Sequence, residues 1–249
     1  MLRLDPYFKT YLPKTIQLKR IESLFTLLQT KPQLFLKPQS GSQGRSVLRV
    51  IYSKENDGSF EVTGRDGRNR SFHKTFQQSR SFKLWLSRFV GKRAYLIQEY
   101  LSLHTDQGMA YDIRSLVQKN GRGLWVTTGM AVRCGKPGSV TSNLHGGGTA
   151  EEVMPFLIQQ FGAEKAEELK QSLDDLSARI PLALESSRGR LAELGIDFGI
   201  DRMANLWILE VNSKPGRDIF KQLHNTQARR LSLLHPIQYA GFLLQRKPN

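Results

Sequence analysis

Apolar residues recur at helical spacing over Thr15 to Thr30, where Ile16, Ile21, Leu24, Phe25, Leu27 and Leu28 fall together and Pro32 closes the segment. The pattern predicts an amphipathic helix. Leu34-Phe35-Leu36 reads as a short strand that runs through Lys37-Pro38 into the small and polar stretch Gln39 to Arg45, and Val47 to Tyr52 resumes as a strand. Turn clusters at Glu55-Asn56-Asp57-Gly58 and at Arg65 to Asn69 flank Phe60 to Thr63, so an antiparallel meander is expected through His73 to Phe76. Ser81 to Phe89 predicts a connecting helix, and Ala94 to Glu99 a buried strand that ends in a carboxylate.

Further along, Asp112 to Gln118 and Leu124 to Arg133 flank Asn120-Gly121-Arg122-Gly123, a hairpin signal. Thr149 followed by Glu152 matches a capping box, which predicts a helix from there through Phe161. Ala163 to Ser187 predicts a longer helix that Pro181 kinks or divides. Ile196 to Ile200 and Leu206 to Val211 predict two strands joined around Met203-Ala204-Asn205, and loops alternate with helix from there to the basic tail Arg246-Lys247. There is no internal repeat and no low-complexity tract.

Composition narrows the class. A chain of 249 residues can bury a sizeable core, as one large domain or as two lobes around a cleft. No apolar run approaches the roughly 18 to 20 residues that a membrane-spanning helix needs. Met1 to Lys14 lacks the pattern of a secretory signal, so a soluble, cytoplasmic protein is the expectation. A single cysteine, Cys134, excludes an internal disulfide and a cysteine-built zinc cluster, and reads as an incidental packed thiol. Against 22 Asp and Glu stand 37 Lys and Arg, a formal +15 that favours an anionic partner: nucleic acid, acidic polymer, polyphosphate nucleotide or anionic surface. Charge alone does not choose among them, and a basic surface that only keeps the protein soluble is the plainer alternative.

The chemistry concentrates in Gly195 to Arg217. Asp197, Glu210 and Asn212 stand at the ends of two adjacent strands, and Glu210 and Asn212, two apart, point to one face. Oxygen ligands converging in this way suit Mg²⁺, which takes a few carboxylates and completes its shell with substrate phosphates. Ordinary strand-end carboxylates remain the alternative on these residues alone.

The run Glu210-Val211-Asn212-Ser213-Lys214-Pro215-Gly216 resembles the metal-binding signature of the ATP-grasp superfamily, and an aspartate thirteen positions before the glutamate matches the D-alanine:D-alanine ligase pattern. The resemblance implies an α+β fold in which two lobes with antiparallel sheets clamp ATP, and it implies that Asp197, Glu210 and Asn212 hold Mg²⁺. Phe35-Leu36-Lys37-Pro38 is similar to the family's strand whose lysine contacts phosphate. Ser40, Gly41, Ser42, Gln43 and Gly44 are similar to its phosphate loop, where small residues let backbone N–H groups approach phosphate oxygens. Gln98, Glu99, Tyr100 and Leu101 resemble the hinge that reads adenine. Asp112-Ile113-Arg114 resembles the ribosomal-protein glutamate ligase branch, which implies ribose contact for Asp112 and a substrate or phosphate role for Arg114. Arg133 and the run Ser142 to Gly148, with Asn143, also resemble that branch, and a guanidinium there suits a transferring phosphoryl group and an oxyanion. His145 reads as a base or as a structural loop histidine.

From Leu12 to about His224 the chain most resembles the spore-coat-associated YheC/YheD group, which implies a spore association. The expected organisation is a linker and helix over 1–30, a small lobe over 31–98 and a large lobe over 99–249. The N-terminal α/β domain usual in ATP-grasp enzymes has no counterpart before Tyr11 to Thr15, so a truncated chain, a completing partner chain or a minimal enzyme is expected. The activity implied is ATP-dependent joining of a carboxylate to an amine, catalysed with Lys37, Arg114 and Arg133, and the excess positive charge with an open acceptor side suggests an acidic peptide or a small carboxylate as substrate. A non-catalytic nucleotide-binding spore-layer protein is one alternative. A basic nucleic-acid-binding module is another, and Lys and Arg spread along the sequence without clustered stacking aromatics count against it.

Overall fold

The computed structural model describes residues 2–41, 44–54, 58–137, 142 and 148–245. Two antiparallel sheets organise the described residues. The first has six strands in the order β1-β6-β2-β3-β4-β5, with β1 Thr15–Gln17, β2 Gln33–Pro38, β3 Leu48–Ser53, β4 Ser59–Arg65, β5 Ser71–Phe76 and β6 Tyr95–Glu99. The second has five in the order β11-β10-β7-β8-β9, with β7 Met109–Lys119, β8 Trp125–Pro137, β9 Thr149–Glu151, β10 Glu193–Ile200 and β11 Leu206–Asn212.

Alternation gives each sheet two chemically different faces. In β2, Leu34 and Leu36 are buried beneath the helices α2 (Ile21–Thr30) and α3 (Ser79–Val90), whereas Phe35 and Lys37 point the other way. Aromatic rings hold these helices down. Phe82 of α3 stacks on Phe60 of β4 with centroids 4.5 Å apart, and Trp85 stacks on Phe89 while meeting Phe72 and Phe76 of β5.

The second sheet buries Ile113, Val132, Ile196 and Phe198 under α4 (Val153–Phe161) and α5 (Ala163–Arg188). Its opposite face is split. Leu116 and Ala131 pack under Ile219, Phe220 and Ala228 of α6 (Asp218–Gln222) and α7 (Thr226–Gln245), while the remaining part turns charged side chains towards the first sheet. A short helix, α1 (Pro6–Lys9), lays Phe8 into the same core as α4 and α5.

Three expectations change. Thr15 to Gln17 is a strand, and the helix starts only at Ile21, because Thr15, Ile16 and Gln17 pair with Gln98, Ile97 and Leu96 of β6. Ladder bonds at a sheet edge outweigh a helical hydrophobic period that a single residue, Ile16, extends across Lys19-Arg20. Thr149 does not cap a helix: Thr149 to Glu151 pair with Cys134, Arg133 and Val132, and α4 begins at Val153 with no side-chain cap on Glu152. Pro181 leaves α5 unbroken over 26 residues, since a proline removes one donor and the buried Leu176, Ser177 and Ile180 keep the helix on the sheet. The β7–β8 turn follows its sequence signal. Asn120 Oδ1 accepts from the amides of Arg122 and Leu124, and Gly123 takes φ 74°, which a side chain would strain.

Removing the ring at the centre of the first core is expected to cost about 3–5 kcal/mol. Phe82→Ala should therefore lower the unfolding free energy from urea titration by that amount, as a lower midpoint with an unchanged slope; a loss under about 1 kcal/mol would show that this cluster is not a cooperative core.

Candidate active site

The two charged and polar sheet faces look at each other across a cavity of about 1100 Å³. Phe35, Lys37, Leu96 and Gln98 of the first sheet form one wall, and Asp112, Arg114, Arg133, Asp197, Leu209, Glu210 and Asn212 of the second form the other. The segment that joins β6 to β7 adds Tyr100, Leu101, Leu103 and His104 at one end.

Register builds the second wall. Asp197 pairs with Arg114 and Asp112 with Arg133, so opposite charges stand directly across neighbouring strands on one face, whereas Glu210 pairs with Asp197, a like charge. Arg114 donates from Nε and Nη2 to the two carboxylate oxygens of Asp197, at 2.5 and 3.1 Å. Arg133 donates likewise to Asp112, at 2.5 and 2.7 Å, and its Nη2 also lies 3.0 Å from Asp197 Oδ2. Ser142 adds a hydroxyl bond to Asp112 at 2.5 Å. Burial pushes Asp197 up, but the Arg133 and Arg114 guanidiniums outweigh it and hold the carboxyl below its ordinary value. Burial likewise opposes the charge on Arg133, and Asp112 and Asp197 reverse that and hold its proton more tightly than usual.

Glu210 and Asn212 differ from these. Among the described residues neither side chain has a hydrogen bond or an ion pair, and both open into the cavity. Confinement in the cleft and then the nearby Asp197 charge raise the Glu210 carboxyl above its usual value, against Lys37, Arg114 and Arg133. Burial lowers Lys37 in turn, although Glu210 and Asp197 favour its charge. Lys37 Nζ reaches the Leu209 carbonyl at 3.4 Å, a bond across the two sheets, and makes no ion pair with Glu210. A carboxylate and an ammonium facing a shared space without contact are groups whose charges a ligand would satisfy.

Of the residues singled out from sequence, Lys37, Gly41, Gly44, Gln98, Glu99, Tyr100, Leu101, Asp112, Arg114, Arg133, Asp197, Glu210 and Asn212 line this cavity. Ser40 does not, and Ser42, Gln43, Asn143 and His145 lie outside the described residues. Glu99 has partners of its own: it binds Lys31 at 2.5 Å and accepts from the Lys14 amide at 3.2 Å. Gln98 donates to Thr15 Oγ1 at 2.7 Å. Phe35, Leu96, Leu103 and Leu209 form the apolar walls; Phe35 and Leu96 belong to the strand and hinge motifs without a role of their own there, and Leu103 and Leu209 were not singled out. Period-two alternation beside Lys37 and Gln98 was the available signal for Phe35 and Leu96. Cys134 is buried, and burial first and Glu151 second push its thiol up to about 12, so it stays an inert packed thiol.

Two facing antiparallel sheets with a basic and carboxylate-lined cleft between them define the ATP-grasp class. The sequence matches the family described as YheC/D like ATP-grasp over residues 1–243, and the chain belongs to that family. It is 31% identical over 221 residues to "Endospore coat-associated protein YheC" of Bacillus subtilis (strain 168), a match that covers 89% of this chain and 59% of that protein. To "Endospore coat-associated protein YheD" of the same organism it is 25% identical over 246 residues, 99% of this chain and 53% of that one. The chain thus spans between half and three-fifths of the length of these relatives. In fold it is similar to D-cycloserine synthetase DcsG, with a TM-score of 0.52 and 12% identity, covering 96% of this chain and 66% of that one. No described helix is long and apolar enough to cross a membrane.

Because the Glu210 carboxyl is raised in the fold, the native state keeps a proton that the unfolded chain has already released above the ordinary value of 4.5. Stability of the ligand-free protein therefore falls as pH rises through that window. Glu210→Gln removes this loss, so its melting temperature should exceed that of the wild type at pH near 7.5 and converge with it near pH 4. Equal melting at both would refute a destabilising carboxylate here.

Proposed function

We propose that this chain is an ATP-dependent carboxylate–amine ligase that makes an amide or peptide bond. Its ATP-grasp membership supports ATP-dependent ligation at the coarse level. The observation that carries the finer reading is that Glu210 and Asn212, unengaged among the described residues, face Lys37 across the cleft without contact, beside a bed of fixed charges.

The donor set fits Mg²⁺. Glu210 and Asn212 offer free oxygens, and Asp197, cross-strand from Glu210, keeps a lone pair beyond its bonds to Arg114 and Arg133. Asp197, Glu210 and Asn212 would hold the ion, which when bound neutralises phosphate charge. Lys37 would place its ammonium on the phosphates. The apolar walls Phe35, Leu96 and Leu209 suit a flat heterocycle, with the backbone from Gln98 to Leu101 to read its edge. Arg114 and Arg133 each give Nε and Nη2 to carboxylates and keep Nη1 for a ligand.

In the proposed reaction a substrate carboxylate oxygen bonds to the γ-phosphorus as the bond to the β,γ-bridging oxygen breaks, releasing ADP. An amine nitrogen then attacks the acyl carbon, loses a proton, and phosphate leaves. Arg133 would stabilise the oxyanion of that second step from a position its two aspartates hold rigid. An acidic peptide or small carboxylate as acceptor, and glutamate as the added amino acid, are the versions to test first. Because both curated relatives are called endospore coat-associated, we also propose that this protein is spore-associated.

Calorimetric titration should find ATP binding that depends on Mg²⁺ and is lost in Glu210→Ala. Magnesium-independent binding of equal strength in that variant would remove the metal assignment. Lys37→Ala should weaken ATP by about 10- to 100-fold, the worth of a charge-assisted phosphate contact. Incubation with ATP, amino acids and acidic peptides should release ADP and add one residue's mass; ADP release without a mass increase would leave an ATPase and not a ligase.

A further inference from the structure

The +15 charge is unevenly placed. Residues 15–99, which hold the whole first sheet, carry 16 Lys and Arg against six Asp and Glu, so +10 of the total falls on this part. The four described acids of this segment already face basic groups: Glu22 meets Lys83, Glu61 meets His73, Asp66 meets Arg70 and Glu99 meets Lys31. Lys74, Arg80, Arg88 and Lys92 have no ion pair among the described residues.

Three of these, Lys74, Arg80 and Arg88, lie on the side away from the cleft. On α3, Phe82, Trp85, Leu86 and Phe89 turn to the sheet, and helical spacing sets Arg80, Lys83, Leu84, Ser87 and Arg88 along the outer face. Lys74 stands between Phe72 and Phe76 on the edge strand β5, both of which touch Trp85, so it projects on the α3 side of the sheet. Lys92 follows the end of α3. In the middle of this field Leu84 is 55% exposed.

We propose that the outer face of α3, with Lys74 of β5, is a docking surface for an acidic polypeptide segment that carries apolar side chains. Charge complementarity selects an acidic partner, and Leu84 among the cations selects one with an apolar residue to lay against it. A nucleic-acid strand fits less well, because the aromatics of this lobe are packed in its core and offer no stacking surface. The surface lies on the opposite face of the sheet from Lys37, so binding there and binding of ATP are separable.

Fluorescence anisotropy of the whole protein with a labelled peptide of repeating Glu-Glu-Leu tests this, with poly-glutamate, oligothymidylate and phosphatidylserine vesicles as comparison probes. The Glu-Glu-Leu peptide should bind most tightly and weaken between about 50 and 200 mM salt. The double variant Arg80→Glu with Arg88→Glu should lose roughly tenfold or more in affinity. Leu84→Ser should lose about fivefold for this peptide and nothing for poly-glutamate. ATP affinity and melting temperature should stay unchanged in all three substitutions. Equal affinity for all polyanions with no dependence on Leu84 would overturn the peptide assignment in favour of a general electrostatic surface. Tighter binding of oligothymidylate or vesicles would assign the face to those partners, and peptide binding indifferent to Arg80 and Arg88 would place the site elsewhere.

Discussion

The ion cluster on the floor of the cleft is the constraint on which the site is built. Four charges, Asp112, Arg133, Asp197 and Arg114, stand on three adjacent strands with side chains that are about nine-tenths covered. Removing one partner from such a group leaves an uncompensated buried charge, so its members constrain one another strongly. Strand register is bound to the chemistry as a result. A slip of one residue in β10 or β7 would turn Asp197 or Arg114 into the apolar face beneath α5 and Ile113 or Ile196 into the cleft.

Around that fixed cluster the cleft keeps a second, unsettled set of charges. Lys37, Glu210 and Asn212 come from opposite walls, and in the absence of ligand Lys37 and Glu210 are both pushed towards their neutral forms. Paired groups hold the geometry while unpaired ones wait for a counter-charge. This division is what electrostatic preorganisation requires, because donors that must stay still during reaction are anchored by other protein groups.

The first sheet separates its tasks by face. Leu34 and Leu36 build a core while Phe35 and Lys37 face the cleft, and beyond that core α3 exposes an uncompensated basic surface. Period-two alternation in the strands and period 3.6 in the helix are enough to put three chemistries in three layers of one lobe.

Much of this was legible in the linear chain. Strands such as β2, β6 and β11 and the Asn120 to Gly123 hairpin declare themselves by local periodicity and turn chemistry, and the Glu210 to Gly216 run pointed to the cleft that Asp197, Glu210 and Asn212 line. Two of the failures have one cause. Thr15 to Gln17 and Thr149 to Glu151 are short edge strands whose backbone bonds come from β6 and β8, distant in sequence, and local propensity cannot see those partners. The same reason hid the site's wiring. Resemblance to ATP-grasp motifs nominated Asp112, Arg114 and Arg133, and a strand-end position together with that resemblance nominated Asp197. That Arg133 bridges two aspartates while Glu210 stays open follows from cross-strand register, a long-range property that only the tertiary structure decides.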